Sequence, residues 1–244
     1  MVRETVLAAV VAGLIAALIF TVVQSIWVTP LILQGEAYEE AAEHSAAAAP
    51  QVHEGHIEAH ETGGHHHDAD EWKPEDGWQR TLFTFGANLL MGVGYAFVLV
   101  ALYLLWREPQ NALGGALYGF AGFLVFFAAP AIGLPPELPG TAAADLSVRQ
   151  QWWAMTAAAT AIGLFLLFSQ RRWSVRVLGI VIVIAPHFVP APQPAVESAL
   201  APADLQSQFR VATAVCNAVF WVALGVASGV AFRKLVPSGS RARA

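Results

Sequence analysis

Seven of the chain's eight histidines stand in the string HSAAAAPQVHEGHIEAHETGGHHHDADEW, which begins at residue 44. His44, His53, His56, His60, His65, His66 and His67 are interleaved there with Glu54, Glu58, Glu61, Asp68 and Asp70. Neutral imidazole and carboxylate are the donors that borderline divalent first-row metals prefer, and a flexible segment can wrap such an ion without a preformed cage. Metal capture is the chemistry this pattern predicts. The competing reading is a solvated, metal-free spacer, because Ala46 to Ala49, Gly55, Gly63 and Gly64 oppose a folded unit. The two readings combine into a mostly disordered loop that binds metal loosely. Ligand type alone does not select cobalt there, since copper, nickel and zinc outcompete it for such donors.

The rest of the chain is of another kind. Of 244 residues, 56% are hydrophobic and 13% charged, and the mean hydropathy is +0.53, which excludes an ordinary soluble globular enzyme. Residues 34–79 carry twelve of the eighteen acids and one base, Lys73, so that window is near −11 and the remainder near +6. No basic stripe lies outside the loop ends, which argues against a nucleic-acid partner. Cys216 is the single cysteine, so neither a disulfide framework nor a CxxC site can form.

Val6 to Val23 holds eighteen residues without a charge, and at about 1.5 Å each they cover most of a roughly 30 Å hydrocarbon core. A signal peptide is the rival reading; the apolar run is too long for one and continues through Ile26, Trp27 and Val28 with no small-residue cleavage site. Further spans are expected at about 82–105, 112–132, 150–169, 173–189 and 209–232, the fifth of the six being the shortest. The fold class is therefore all-α, a polytopic integral membrane protein of about six transmembrane helices, five if 173–189 fails to cross. Its parts are a first helix within 1–33, a His/acid-rich extracytoplasmic loop over 34–79, a helical membrane domain over 80–236 and a cytoplasmic tail over 237–244.

Lys and Arg set the orientation. With the N-terminus inside, the inner side collects Arg3, Arg107, Arg171, Arg172, Arg176, Arg233, Lys234, Arg241 and Arg243, against Lys73, Arg80, Arg149 and Arg210 outside. Both termini are thus expected in the cytoplasm and the histidine loop outside, in a cell (inner) membrane. Trp27, Trp78, Trp106, Trp152, Trp153 and Trp173 fall at expected span ends, where an indole sits half in lipid and half in water; Trp221 lies inside the last span.

Within the spans, Pro30, Pro130 and Pro186 stand near the outer ends of the outward-running helices, and Arg80, Arg149 and Arg210 open the inward-running ones. Counting from those arginines, Asn88, Thr156 and Asn217, then Gly94, Gly163 and Gly225, recur at matching offsets. This fits either a threefold hairpin repeat or chance recurrence of helix-end residues, and chance is favoured. Asp76 with Arg80 and Asp145 with Arg149 are four apart, as ordinary helix-start electrostatics predicts. Gly115/Gly119 and Gly225/Gly229 are GxxxG spacings, expected to serve close helix packing.

Strongly polar residues inside the spans are few: Gln24, Asn88, His187 and Asn217, all at outer-half depth on this topology. Polar groups in lipid need partners or a wet cavity, so their shared depth predicts an outward-facing vestibule. Met91 and Cys216 beside the asparagines are soft donors, with core packing as the default role. The chain has no GxxxxGK[ST] and so no P-loop, and no acid falls within a span to carry a coupled proton. Inward movement of a divalent cation is favoured by roughly 4.6 kcal/mol per 100 mV of negative potential, and uptake needs no further engine.

VVQSIWVTPLILQGEAYE at 22–39, WKPEDGWQRTLFTFGANLLMGVGYA at 72–96, APAIGLPPELPGTAAADLSVRQQWW at 129–153 and PHFVPAP at 186–192 resemble the CbtA family of predicted cobalt transporter subunits. The likeness covers nearly the whole chain and departs at Pro190, where the family usually carries glycine. The resemblance implies an integral membrane subunit for cobalt uptake, serving cobalamin synthesis and paired with a small, single-span, histidine-containing B subunit. It also implies about five spans. The combined expectation is a permease subunit for a divalent transition metal, Co²⁺ before others, with no cofactor of its own. The outer histidines collect the ion, and Gln24, Asn88, His187 and Asn217, with Glu137, carry it into the membrane. The alternatives are a metal-capturing accessory that conducts nothing and a membrane-embedded enzyme, the latter disfavoured because no acid–base pair or nucleophile triad falls within the spans.

Overall fold

The computed structural model describes residues 2–48, 74–106 and 111–236. Among them the chain is helical, with no strand and one isolated bridge between Thr141 and Ala199. The helices are α1 (Val2–Trp27), α2 (Thr29–Ala48), α3 (Trp78–Trp106), α4 (Ala112–Phe123), α5 (Ala129–Gly133), α6 (Leu146–Ser169), α7 (Trp173–Ile184) and α8 (Ala203–Leu235). A π-helical turn, Leu124–Ala128, joins α4 to α5, and a 3₁₀ turn, Ala185–Phe188, extends α7.

Each of the three prolines near a span end marks a distortion. Pro30 sits at the start of α2, where the helix breaks after Trp27; Pro130 follows the π turn, having no N–H for the carbonyl of Phe126; Pro186 lies in the 3₁₀ turn. Beyond Pro30 the helix runs on to Ala48, so residues 34–48 of the expected loop are helical. Alanine and glutamate are strong helix formers, and EAYEEAAEHSAAA propagates a helix already begun. The remainder of that loop lies outside the described residues.

Five stretches are long and apolar enough to cross a membrane: Val2–Trp27, Trp78–Trp106, Ala112–Gly133, Leu146–Ser169 and Ala203–Leu235. The sixth, Trp173–Phe188, is shorter. Twelve α and four 3₁₀ residues rise about 26 Å, just under a roughly 30 Å core. It nevertheless packs along α6 from the C-terminal end of that helix to its second turn. Arg176 Nε donates to the carbonyl of Gln170 at one end of α6, and His187 lies against Trp152 at the other.

Glycine seams hold the helices together, in the small-residue packing expected where lipid removes the hydrophobic drive. A Cβ on Gly13 would meet the Val93 backbone at 2.6 Å, and one on Gly92 the Gly13 carbonyl at 2.9 Å, joining α1 to α3. The two GxxxG pairs face each other: Gly115 meets Gly225 and Gly229, and Gly119 meets Trp221 and Gly225, so α4 and α8 are antiparallel. Gly163 and Gly179 do the same for α6 and α7. Gly94, the third glycine of the apparent repeat, faces open space. The strongest packing pairs α4 with α8, α1 with α8 and α1 with α3, so α8 lies against two helices that do not immediately precede it in the chain.

Candidate functional site

The loops after α5 and after the 3₁₀ turn lie at one end of the bundle, with the starts of α3, α6 and α8. The first loop, Leu134 to Ala144, carries Pro135, Pro136 and Pro139 and turns at Gly140, whose φ of +73° favours glycine. Gln206 of α8, buried, holds it twice, accepting from the Leu138 N–H at 3.4 Å and donating to Thr141 Oγ1 at 2.8 Å. Ala142 N to Ser198 O (2.9 Å) and Leu200 N to Gly140 O (3.3 Å) tie it to the second loop.

These anchors fix Glu137 opposite Arg149 of α6, whose Nη2 reaches Glu137 Oε2 at 3.2 Å. Both line an open cavity of about 710 Å³, floored by Phe126, Phe127 and Pro130 and walled by Trp153. Asp145, spaced to pair with Arg149, instead caps α6. Its carboxylate accepts from the Ser147 N–H (2.9 Å), the Ser147 hydroxyl (2.5 Å) and the Val148 N–H (3.3 Å), because an N-cap side chain folds back on the first-turn amides. The Ser147 hydroxyl, then the two amides, hold the Asp145 carboxyl below the usual carboxylate range.

Trp152, near the start of α6 at an expected span end, is buried to 6% exposure. Its ring lies over Gly133, where a Cβ would approach within 2.4 Å, and its Nε1 donates to the Val189 carbonyl at 3.2 Å. His187 meets it edge-on at 6.3 Å. One indole therefore joins both loops, and His187 is half-buried against it, away from the residues lining the cavity.

Of the other expected pathway residues, Gln24 and Asn88 are brought together. Asn88 Nδ2 donates to Gln24 Oε1 and to Thr21 Oγ1, each at 3.0 Å, across α1 and α3. Asn217 Nδ2 donates within its own helix to the Thr213 carbonyl at 3.0 Å. Cys216 is buried among core residues and Met91 packs on the same cluster, as the packing default predicts. His44 is exposed on α2, while His53, His56, His60, His65, His66 and His67 lie outside the described residues. Among the described residues no three His, Cys, Asp or Glu side chains gather where they could hold a metal. Sequence reasoning misses Thr21, Gln206 and the partnership of Arg149 with Glu137. Thr21 has a signal in its place one turn before Gln24; the other two depend on loop closure.

The helix that precedes the histidine-bearing segment in sequence, α2, begins at this end. Ile32 of α2 lines the cavity, Gly35 packs on Leu138 and Pro139, and Glu36 is gripped by Arg80 of α3 through two contacts of 2.9 and 2.6 Å. Asp76 adds the expected contact to Arg80 at 2.9 Å.

A family model described as "Probable cobalt transporter subunit (CbtA)" matches residues 2–233. The chain belongs to the CbtA family. CbtA membership and the apolar helices together make it a multi-pass membrane protein of a cobalt transporter. No curated protein and no solved structure matches the chain.

Proposed function

We propose that this CbtA chain is the permease subunit, that Co²⁺ is its cargo and that the cobalt supplies cobalamin synthesis. The observation that carries the reading is the shared end of the bundle: the open cavity with Glu137 lies against α2, the helix from which the histidine segment departs. In this reading an ion collected by His53 to His67 passes to the Glu137 carboxylate. Gln24, Asn88 and Asn217 supply polar groups deeper in the helices, and His187 a nitrogen donor on the far side of Trp152. Both termini lie in the cytoplasm and the cavity opens outward, as the basic residues favour. A cysteine placed at Ala59 is then labelled by an impermeant maleimide on intact cells.

The absence of a three-ligand cluster among the described residues favours a second reading, in which the chain captures metal and another subunit, small and histidine-containing, completes the path. Radiolabelled Co²⁺ flux into proteoliposomes containing this chain alone separates them. Potential-driven uptake supports the permease, and binding without flux supports the accessory. Nickel and zinc in parallel test the choice of metal.

A further inference from the structure

The chain holds two arginine–glutamate pairs of opposite build. Arg80 grips Glu36 with both nitrogens of its fork, at 2.9 and 2.6 Å, and takes Asp76 as well. Arg149 holds Glu137 by one contact of 3.2 Å, leaving Glu137 Oε1 without a partner among the described residues. Bidentate, short contacts are the strong ones, and a single long contact on partly exposed side chains contributes little. Among the described residues only the weaker pair brings charge to the cavity lining.

We propose that Arg149 is a tethered competitor for the cavity's carboxylate: it occupies Glu137 until a hydrated divalent cation displaces it, and so sets the concentration at which the cavity loads. Guanidinium stays charged at any pH the protein meets, so its competition cannot be relieved by losing a proton. Glu137 is presented rigidly, because Gln206 fixes the residue after it and three prolines stiffen its loop. Arg149 is tethered only by its own flexible stem at the start of α6. A site with one carboxylate, the neighbouring Thr141 and Gln150, and retained waters binds weakly, as entry followed by release requires. The inference deepens the permease reading and rests on it only for the consequence to flux.

Phenylglyoxal modification of the full chain in nanodiscs, read on the peptide containing Arg149, tests displacement directly. Added Co²⁺ should speed modification of Arg149 saturably, by roughly threefold, the scale of a partly exposed ion pair. Arg80, doubly held, should not respond. In Glu137→Gln, Arg149 should react at the fast rate with or without Co²⁺. No change with Co²⁺ in the unmodified sequence, or the same Co²⁺ dependence persisting in Glu137→Gln, overturns the proposal. Proteoliposome flux is scored separately: displacement without flux retains the site and rejects the permease, and flux without displacement does the reverse.

Discussion

Where α4 crosses α8, Gly115, Gly119, Gly225 and Gly229 let one main chain rest on another, whereas at the loop end the helices are joined by single side chains, Trp152, Gln206 and Arg149. The seams have no room for an added atom and no side chain to do chemistry with. The loop end has adjustable joints, a charge pair and the open cavity. The contrast teaches that the rigid and the responsive parts of this bundle are separated along its axis. It can be broken or sharpened by substitutions on either side.

The largest effect is expected at the seam. A Cβ on Gly225 would lie 2.2 Å from the Gly115 carbonyl, against backbone that cannot rotate away. Gly225→Val should exceed the roughly 1–3 kcal/mol of ordinary overpacking and leave no monodisperse protein on size exclusion. Gly94→Ala is the control: nothing lies within 4 Å of its Cβ, and the variant should fold as well as the parent. Equal damage at both positions would mean that the seam is not special.

Next comes the indole that joins the loops. Trp152→Ala should cost about 3–5 kcal/mol by the usual scale for emptying such a site, but the damage should stay local. Proteolysis within 134–145 and 189–202 should accelerate while α1, α3, α4 and α8 remain protected. Trp152→Phe keeps an aromatic ring at the site but loses the bond to Val189 and the benzo edge over Gly133, and should cost more than the ~1 kcal/mol of one hydrogen bond yet less than the alanine variant. Global unfolding of the Phe variant would erase the distinction between the two regions.

What the sequence reveals divides along the same line. Glycine spacing and span length are local patterns, so the seam between α4 and α8 and the short α7 are readable, whereas the Gly13–Gly92 and Gly163–Gly179 contacts carry no such spacing. The composition of 34–48 misleads because alanine and charged residues resemble low complexity, although the same residues propagate a helix. Asp145 and Arg149 show the limit at the cavity. Their spacing predicts a pair, but Gln206, 57 residues beyond Arg149, places Glu137 where it captures the arginine. Nothing local encodes that closure.

A smaller effect is expected from Asn88, which is polar like the loop end but lies between helices. Interhelical hydrogen bonds in membranes average about 0.6 kcal/mol and reach about 1.7, so Asn88→Ala, losing Thr21 and Gln24 as partners, should lower thermal stability only modestly. If flux is lost while the melting temperature is unchanged, Asn88 contacts the ion. A proportionate fall in both makes it a packing residue.

The smallest effect is expected at Asp145, and it has a definite pH sign. Hydrogen bonds from Ser147 and Val148 depress its carboxyl in the folded chain, so its contribution is present above the unfolded carboxylate value and is lost as pH falls through the folded one. Asparagine caps a helix about as well as aspartate but does not titrate, so Asp145→Asn should melt like the parent near neutrality. Below about pH 4 the parent should lose stability that the variant keeps, a difference read from paired melts at about pH 7 and about pH 3. Because the cap begins α6 beside Arg149, the acid-sensitive opening should appear as proteolysis at the loop end and not at the seams. Acid loss that is identical in both chains would assign the sensitivity to other carboxylates and remove Asp145 from the joints that hold this end.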